Sequence, residues 1–125
     1  MFTNDDIIHT DTRADALAEG VLIDVTEAAR RHGFRWPVAL TAALWQRCVA
    51  LRPDATGLTE EEKLGHLLAA LSAAVQGADT PTTAAAVRVD VEEYRGLFTM
   101  QLAKIVGGPD DDGRPCLTVM MPHED

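Results

Sequence analysis

Apolar and polar positions follow two different periods along this chain. Before about residue 83 the apolar side chains recur every three or four positions, as on the buried face of a helix. After that point they occupy every second position, as on a strand with one exposed face. The pattern predicts an α+β fold in which an N-terminal helical half, with about four helices and one short strand, packs on a C-terminal three-stranded antiparallel meander.

Residues that start and stop helices delimit the elements of the N-terminal half. Asp11 or Thr12 can cap a first helix, and Gly20 suits the left-handed position at its end. Thr26 is expected to cap a second helix, and Pro37 fits the first turn of a third. The predicted elements are a helix Arg13–Glu19, a strand Val21–Val25, a helix Glu27–His32 and a helix Val38–Leu51.

The clearest local signal is at the start of the next helix. Thr59 and Glu62 have the spacing of a capping box, and three glutamates occupy the first turn, where the helix dipole favours negative charge. This helix is predicted to run to about Gln76. Its buried stripe is expected to consist of Leu64, Leu67, Leu68, Leu71 and Val75.

The three C-terminal strands are predicted from alternation. On the first, Val87, Val89 and Val91 are expected to face the core, while Arg88 and Asp90 face solvent. The inward residues of the other two are predicted as Phe98, Met100, Leu102 and Val106 on the second strand, and Leu117, Val119 and Met121 on the third.

Length and composition indicate a single domain over residues 1–125. The chain has no apolar run of the roughly 20 residues that a membrane span needs, and its acidic start, MFTNDDII, does not resemble a signal peptide. Cys48 and Cys116 are interpreted as buried free thiols, and we therefore expect a cytoplasmic protein.

The formal net charge of −9 bears on the class of partner. It disfavours direct binding to nucleic acid, because such proteins present a basic patch. One interpretation is a solvated acidic surface. The other is an acidic face that meets a protein with a basic, nucleic-acid-binding surface. The candidate residues for such a face are Asp110, Asp111, Asp112, Glu92 and Glu93.

Candidate chemistry is sparse. We predict no catalytic residue, no cofactor and no metal site, because the loop 107–113 lacks the spacing of a calcium loop and no nucleophile motif is present. An alternative pocket could form where Arg13, Asp24 and Thr26 converge beside the sheet. The competing interpretation of these three residues is a structural ion pair plus a helix cap.

Two segments of the sequence resemble a known family of small bacterial proteins of unknown function. The resemblance rests on the pattern TRAxAxxxGVLxDV…GFRxPVALT near the N-terminus and GPDDxGxPxLTxMxPxED at the C-terminus. It implies a gene often carried on plasmids and phages, and it supplies no catalytic residue. By analogy with other small acidic proteins of mobile elements, it favours an inhibitor of host defence.

These observations lead to three hypotheses of different classes. The first is a non-enzymatic protein-binding accessory factor of a mobile element, such as an anti-CRISPR or anti-restriction inhibitor, whose acidic face blocks a nucleic-acid-binding surface. The second is a small enzyme or ligand-binding domain with its pocket near Arg13 and Asp24. The third is a homo-oligomeric structural accessory; the sequence indicates no particular oligomeric state.

Overall fold

A computed structural model describes residues 12–51, 57–76, 80–81 and 83–124. The helices in these ranges are α1 (Arg13–Glu19), α2 (Thr26–Arg30), α3 (Ala42–Cys48) and α4 (Glu60–Val75). The strands are β1 (Leu22–Asp24), β2 (Val38–Thr41), β3 (Ala84–Tyr94), β4 (Leu97–Pro109) and β5 (Pro115–Met120). The fold is therefore α+β, as predicted.

All five of these strands belong to one mixed sheet with the order β1-β2-β5-β4-β3. The predicted meander corresponds to β3, β4 and β5, which pair antiparallel in sequence order. The sheet continues past β5, however, because β2 pairs with it in parallel and β1 pairs antiparallel with β2. The N-terminal half thus contributes two strands to the sheet and does not merely pack helices against it.

The prediction of a helix from Val38 is wrong for its first turn. Val38, Ala39 and Leu40 are buried in the central strand β2, and the helix begins only at Ala42. The Thr41 hydroxyl caps α3 by accepting a hydrogen bond of 3.2 Å from the Leu44 amide. A short apolar run suits either a helix or a buried strand. Here, pairing on both sides with β1 and β5 stabilises the strand.

The predicted caps of α1 and α4 are confirmed, whereas α2 and α3 end at Arg30 and Cys48, two and three residues before the predicted ends at His32 and Leu51. Thr12 and Thr59 each form a capping box, with Asp15 and Glu62 as the respective partners, and Gly20 ends α1 with a φ of 80°. Thr26 does not cap α2 as predicted: it is the first helical residue, and Val25 occupies the cap position without a side-chain bond. The Thr26 hydroxyl instead accepts a hydrogen bond from the Val38 amide, which ties α2 to β2.

One face of the sheet, the inner face, packs against α2, α3 and α4 to form the core. Alternate residues of every strand point into this layer, as the two-residue period requires. Cys48 and Cys116 are buried free thiols, as predicted. The largest fully buried side chains are Leu40, Leu44, Leu67, Leu68, Leu71, Ile105 and Leu117.

The predicted inward face of β4 is the wrong one. Phe98, Met100 and Leu102 are exposed on the outer face of the sheet, whereas Ala103 and Ile105 are buried. Both faces of this strand carry apolar residues, so the count of apolar side chains on each face is a poor guide. The pairing of Ala103 with Val87 and of Ile105 with Val119 decides which face joins the core.

A matched pair of substitutions in β4 tests this assignment. Ile105→Ala should lower the free energy of unfolding by about 2–5 kcal/mol, because it opens a cavity in the core. Met100→Ala should change it by less than about 1 kcal/mol, because the side chain is already exposed. Urea unfolding monitored by circular dichroism measures both, and similar losses in the two variants would contradict the orientation of β4.

Candidate functional site

The three consecutive aspartates lie at the tip of the β4–β5 hairpin. The Asp110 amide donates to the Arg114 carbonyl at 2.7 Å, and the Asp110 carboxylate accepts from the amides of Asp112 and Arg114 at 2.9 Å each. The bond from the Arg114 amide, more than any other contact, lowers the pKa of Asp110. Asp110 therefore closes the turn and stays ionised while doing so.

Asp111 binds the N-terminus of α1. Its two carboxylate oxygens accept hydrogen bonds of 2.9 Å from the amides of Arg13 and Ala14. These amides belong to the first turn, where helix N–H groups lack partners within the helix and the dipole favours an anion. The hairpin tip is thus attached to α1 across 98 and 97 positions of sequence.

Arg13 reinforces the same attachment from the helix side. Its guanidinium donates to the Thr118 hydroxyl and, at 3.0 Å, to the Leu117 carbonyl, both on β5. Asp24 accepts hydrogen bonds from the amide and the hydroxyl of Thr26. The polar groups of Arg13 and Asp24 are therefore bonded to different partners, and they do not form the ion pair that the sequence suggested as a structural interpretation.

The three aspartates of the β4–β5 turn and the residues of the alternative pocket line one cleft of about 230 Å³, here called the acidic cleft. It lies where the N-terminus of α1, the β1–α2 turn and the β4–β5 turn meet. The predicted residues that line it are Arg13, Asp24, Thr26, Asp110, Asp111 and Asp112. Residues proposed for two competing functions are thus neighbours in space.

Glu92 and Glu93 lie in a different place, at the opposite end of the sheet. They line a second cleft, of about 300 Å³, beside the β3–β4 turn. Strand β4 has 13 residues and connects the two ends, which at ~3.3 Å per residue are roughly 40 Å apart. The five acidic residues proposed from the sequence are therefore divided between two ends of the molecule.

Both glutamates are bonded into the fold. The Glu92 carboxylate accepts from the amides of Leu58, at 2.6 Å, and Gly96, at 2.9 Å, and the Leu58 bond is the larger cause that lowers the pKa of Glu92. Glu93 forms an ion pair of 2.8 Å with Arg47 on α3. These contacts join the β3–β4 hairpin to the helical layer.

Asp112 differs from its neighbours, since its exposed carboxylate makes no bond to any other part of the chain that the structure describes. Within the described ranges, no group of three or more His, Cys, Asp or Glu side chains is arranged to hold a metal ion.

Burial raises the pKa of the Cys48 thiol to about 11 and raises that of Cys116 as well. Both thiols are therefore protonated at neutral pH.

A family described as "Family of unknown function (DUF6573)" matches the chain over residues 1–125. The chain belongs to this family. Comparison with curated proteins and with solved structures gives no match. Among the described helices, none is both long and apolar enough to cross a membrane. Because the function of the family is unknown, membership in it does not assign a reaction or a ligand to the acidic cleft.

The sequence did not reveal the contact between Asp111 and α1. A cap supplied from a distant hairpin leaves no local spacing to find, unlike the boxes at Thr12 and Thr59. The sequence analysis also did not identify Glu124 as a structural residue. Its carboxylate accepts hydrogen bonds from the Thr41 hydroxyl at 2.7 Å and from the Met121 amide at 2.8 Å. Glu124 thereby attaches the C-terminal residues to the end of β2.

Replacing Asp111 should separate its structural role from that of its neighbour. Asp111→Ala should lower the free energy of unfolding by about 1 kcal/mol, because two amides of α1 lose their acceptor and the helix dipole loses its anion. Asp112→Ala should leave it within about 0.5 kcal/mol, because that side chain is exposed and bonds to no other described residue. Chemical denaturation measures both, and an equal effect of the two would contradict the cap.

Acid titration tests the role of Glu92. Its pKa in the folded protein is below the ordinary value of 4.5, so its contribution to stability is complete above that value and is lost as the pH falls through the lowered pKa. Glu92→Gln should therefore reduce the fall in melting temperature between neutral pH and about pH 3. Asp112→Asn removes an exposed carboxylate that lies outside any helix and bonds to no other described residue; it is the control and should leave the fall close to that of the wild type.

Proposed function

We propose that this protein is a non-enzymatic, protein-binding accessory factor of a mobile element, acting in the cytoplasm. Its partner is a host protein with a basic, nucleic-acid-binding surface, and the concrete version of the role is an anti-CRISPR or anti-restriction inhibitor. The surface that meets the partner is the rim of the acidic cleft, with Asp112 at its centre. This narrows the five-residue acidic face predicted from the sequence to the hairpin tip.

The observation behind this proposal is that the hairpin tip presents charge in a fixed geometry. Asp110 and Asp111 are each held by two backbone amides, so little conformational entropy is lost when a partner orders them. Asp112 is part of the turn, and its side chain is exposed to solvent. Three adjacent carboxylates repel one another, and within the described part of the chain only those of Asp110 and Asp111 accept hydrogen bonds, so the third is available for a basic partner.

An exposed apolar surface also supports a protein-binding role. Tyr94, Leu97, Phe98, Met100 and Leu102 are all large, exposed apolar side chains on the β3–β4 hairpin. Of these, Phe98, Met100 and Leu102 alternate along β4 and therefore share its outer face. Neighbouring exposed apolar side chains often mark interaction sites. The net charge of −9 further favours association with a basic surface over association with nucleic acid itself.

The proposal is tested by protection of incoming DNA in living cells. Expression of the wild-type chain should raise the establishment of unmodified plasmid in a host with active restriction, or of a targeted plasmid in a host with active CRISPR immunity. Asp112→Asn should weaken this protection, and should slow binding to the isolated target roughly 3- to 10-fold, because steering by an exposed interface charge is lost.

Glu19→Gln is the matched control, because it also removes one exposed negative charge but lies at the end of α1. It should retain full protection. Protection that is absent for the wild-type chain in every restriction and CRISPR host tested would contradict the anti-defence role. Equal behaviour of Asp112→Asn and Glu19→Gln would contradict the assignment to the hairpin tip.

A small ligand-binding domain, or an enzyme, is the second candidate function. The observation that favours it is the convergence of Arg13, Asp24 and Thr26 in one cleft with the aspartates. The guanidinium of Arg13 already bonds to β5, and Asp24 already bonds to Thr26. A ligand would therefore have to use these groups without breaking the contacts that hold α1 and α2 in place.

A further inference from the structure

Strand β3 is the edge of the sheet on the side away from β1. It has 11 residues, and among the described residues it pairs with β4 alone. An edge strand presents a row of N–H and C=O groups to any chain that can align with it. Natural proteins often prevent such pairing with prolines or short edges, but β3 contains no proline and is long.

The regular part of β3 is bounded on both sides. Its register with β4 is continuous from Val87 to Glu92 and shifts before Val87 and after Glu92. Within this run the outward side chains of Arg88 and Asp90 are exposed, while Val87, Val89 and Val91 are buried in the core. A partner strand therefore has six consecutive residues, from Val87 to Glu92, on which it can form a regular ladder.

The charges on this run are complementary to themselves. When two antiparallel copies of β3 are related by a two-fold axis at Val89, Arg88 of each copy lies opposite Asp90 of the other. Opposite charges in directly facing positions stabilise a pair of strands, and like charges destabilise it. The neighbouring registers centred on Arg88 or Asp90 would place two arginines or two aspartates face to face.

We propose that a second copy of this chain binds along β3, with the two-fold axis at Val89. The two sheets become one continuous sheet of ten strands, five from each copy, and the valines of the two edges meet between the two cores. Such an interface is isologous, as in most homodimers. The interface does not involve the acidic cleft, because no residue of β3 lines that cleft.

The ladder is short, so the dimer is expected to be weak and dynamic. Sedimentation velocity of the full chain at physiological salt, from about 5 to about 300 µM, covers the affinities typical of small interfaces. The wild-type chain should shift from monomer to dimer within this range. A chain that remains monomeric throughout would overturn the proposal, and Arg88 and Asp90 would then serve as charges that keep the edge unpaired.

Charge exchange identifies the register. Asp90→Arg should raise the dissociation constant at least ~10-fold, because two attractive pairs become repulsive. The double variant Arg88→Asp with Asp90→Arg exchanges the charges, restores both attractive pairs and should return the dissociation constant to within about threefold of the wild type. Glu19→Arg makes the same charge change on α1 and should leave dimerisation unaffected.

Hydrogen exchange provides a second readout at the same concentrations. Amides between Val87 and Val91 that are not bonded to β4 should be protected in the wild-type dimer and should exchange freely in Asp90→Arg. A normal melting temperature of Asp90→Arg verifies that the variant is folded. Failure of the double variant to restore either the dimer or the protection would overturn the register, even if the wild-type chain dimerises.

Discussion

The parallel pairing of β2 with β5 is the contact on which the rest of the structure depends. It places Leu40 beside Val119 and Val38 beside Leu117 in the middle of the sheet, where all four side chains are essentially excluded from solvent. Burial of each aliphatic side chain is worth roughly 1.5–3 kcal/mol, so the loss of any one of them would remove a sizeable fraction of the net stability expected of a domain this size. They also join two parts of the chain that are far apart in sequence.

The position of the acidic cleft follows from that pairing. With β2 fixed beside β5, the β1–α2 turn and the N-terminus of α1 come to the same end of the sheet as the β4–β5 turn. Asp111 can then supply an acceptor to α1, and Arg13 can reach the Leu117 carbonyl. A negatively charged tip that is held by backbone hydrogen bonds is therefore a consequence of how the central strands are arranged.

The sequence predicted those features that are encoded locally. The cap at Thr12, the capping box at Thr59, the helix end at Gly20 and the valine face of β3 could all be predicted, because each depends on residues within a few positions. The strand β2 was missed because a buried four-residue run has no distinctive period. The outward orientation of Phe98 and Met100 was missed because only long-range pairing determines which face of β4 is buried. The division of the acidic residues between two ends, and the cap from Asp111, likewise depend on contacts across most of the chain.

Native-state hydrogen exchange tests the central role of the β2–β5 pair most directly. If this pair unites the two halves of the chain, the amides of Leu40, Leu117 and Val119 should exchange only through global unfolding. Their opening free energies should then equal the free energy of unfolding measured with denaturant. A much lower opening free energy for β2, while β3 and β4 remain protected, would show that the N-terminal strands dock on an independently stable hairpin, and would contradict this account.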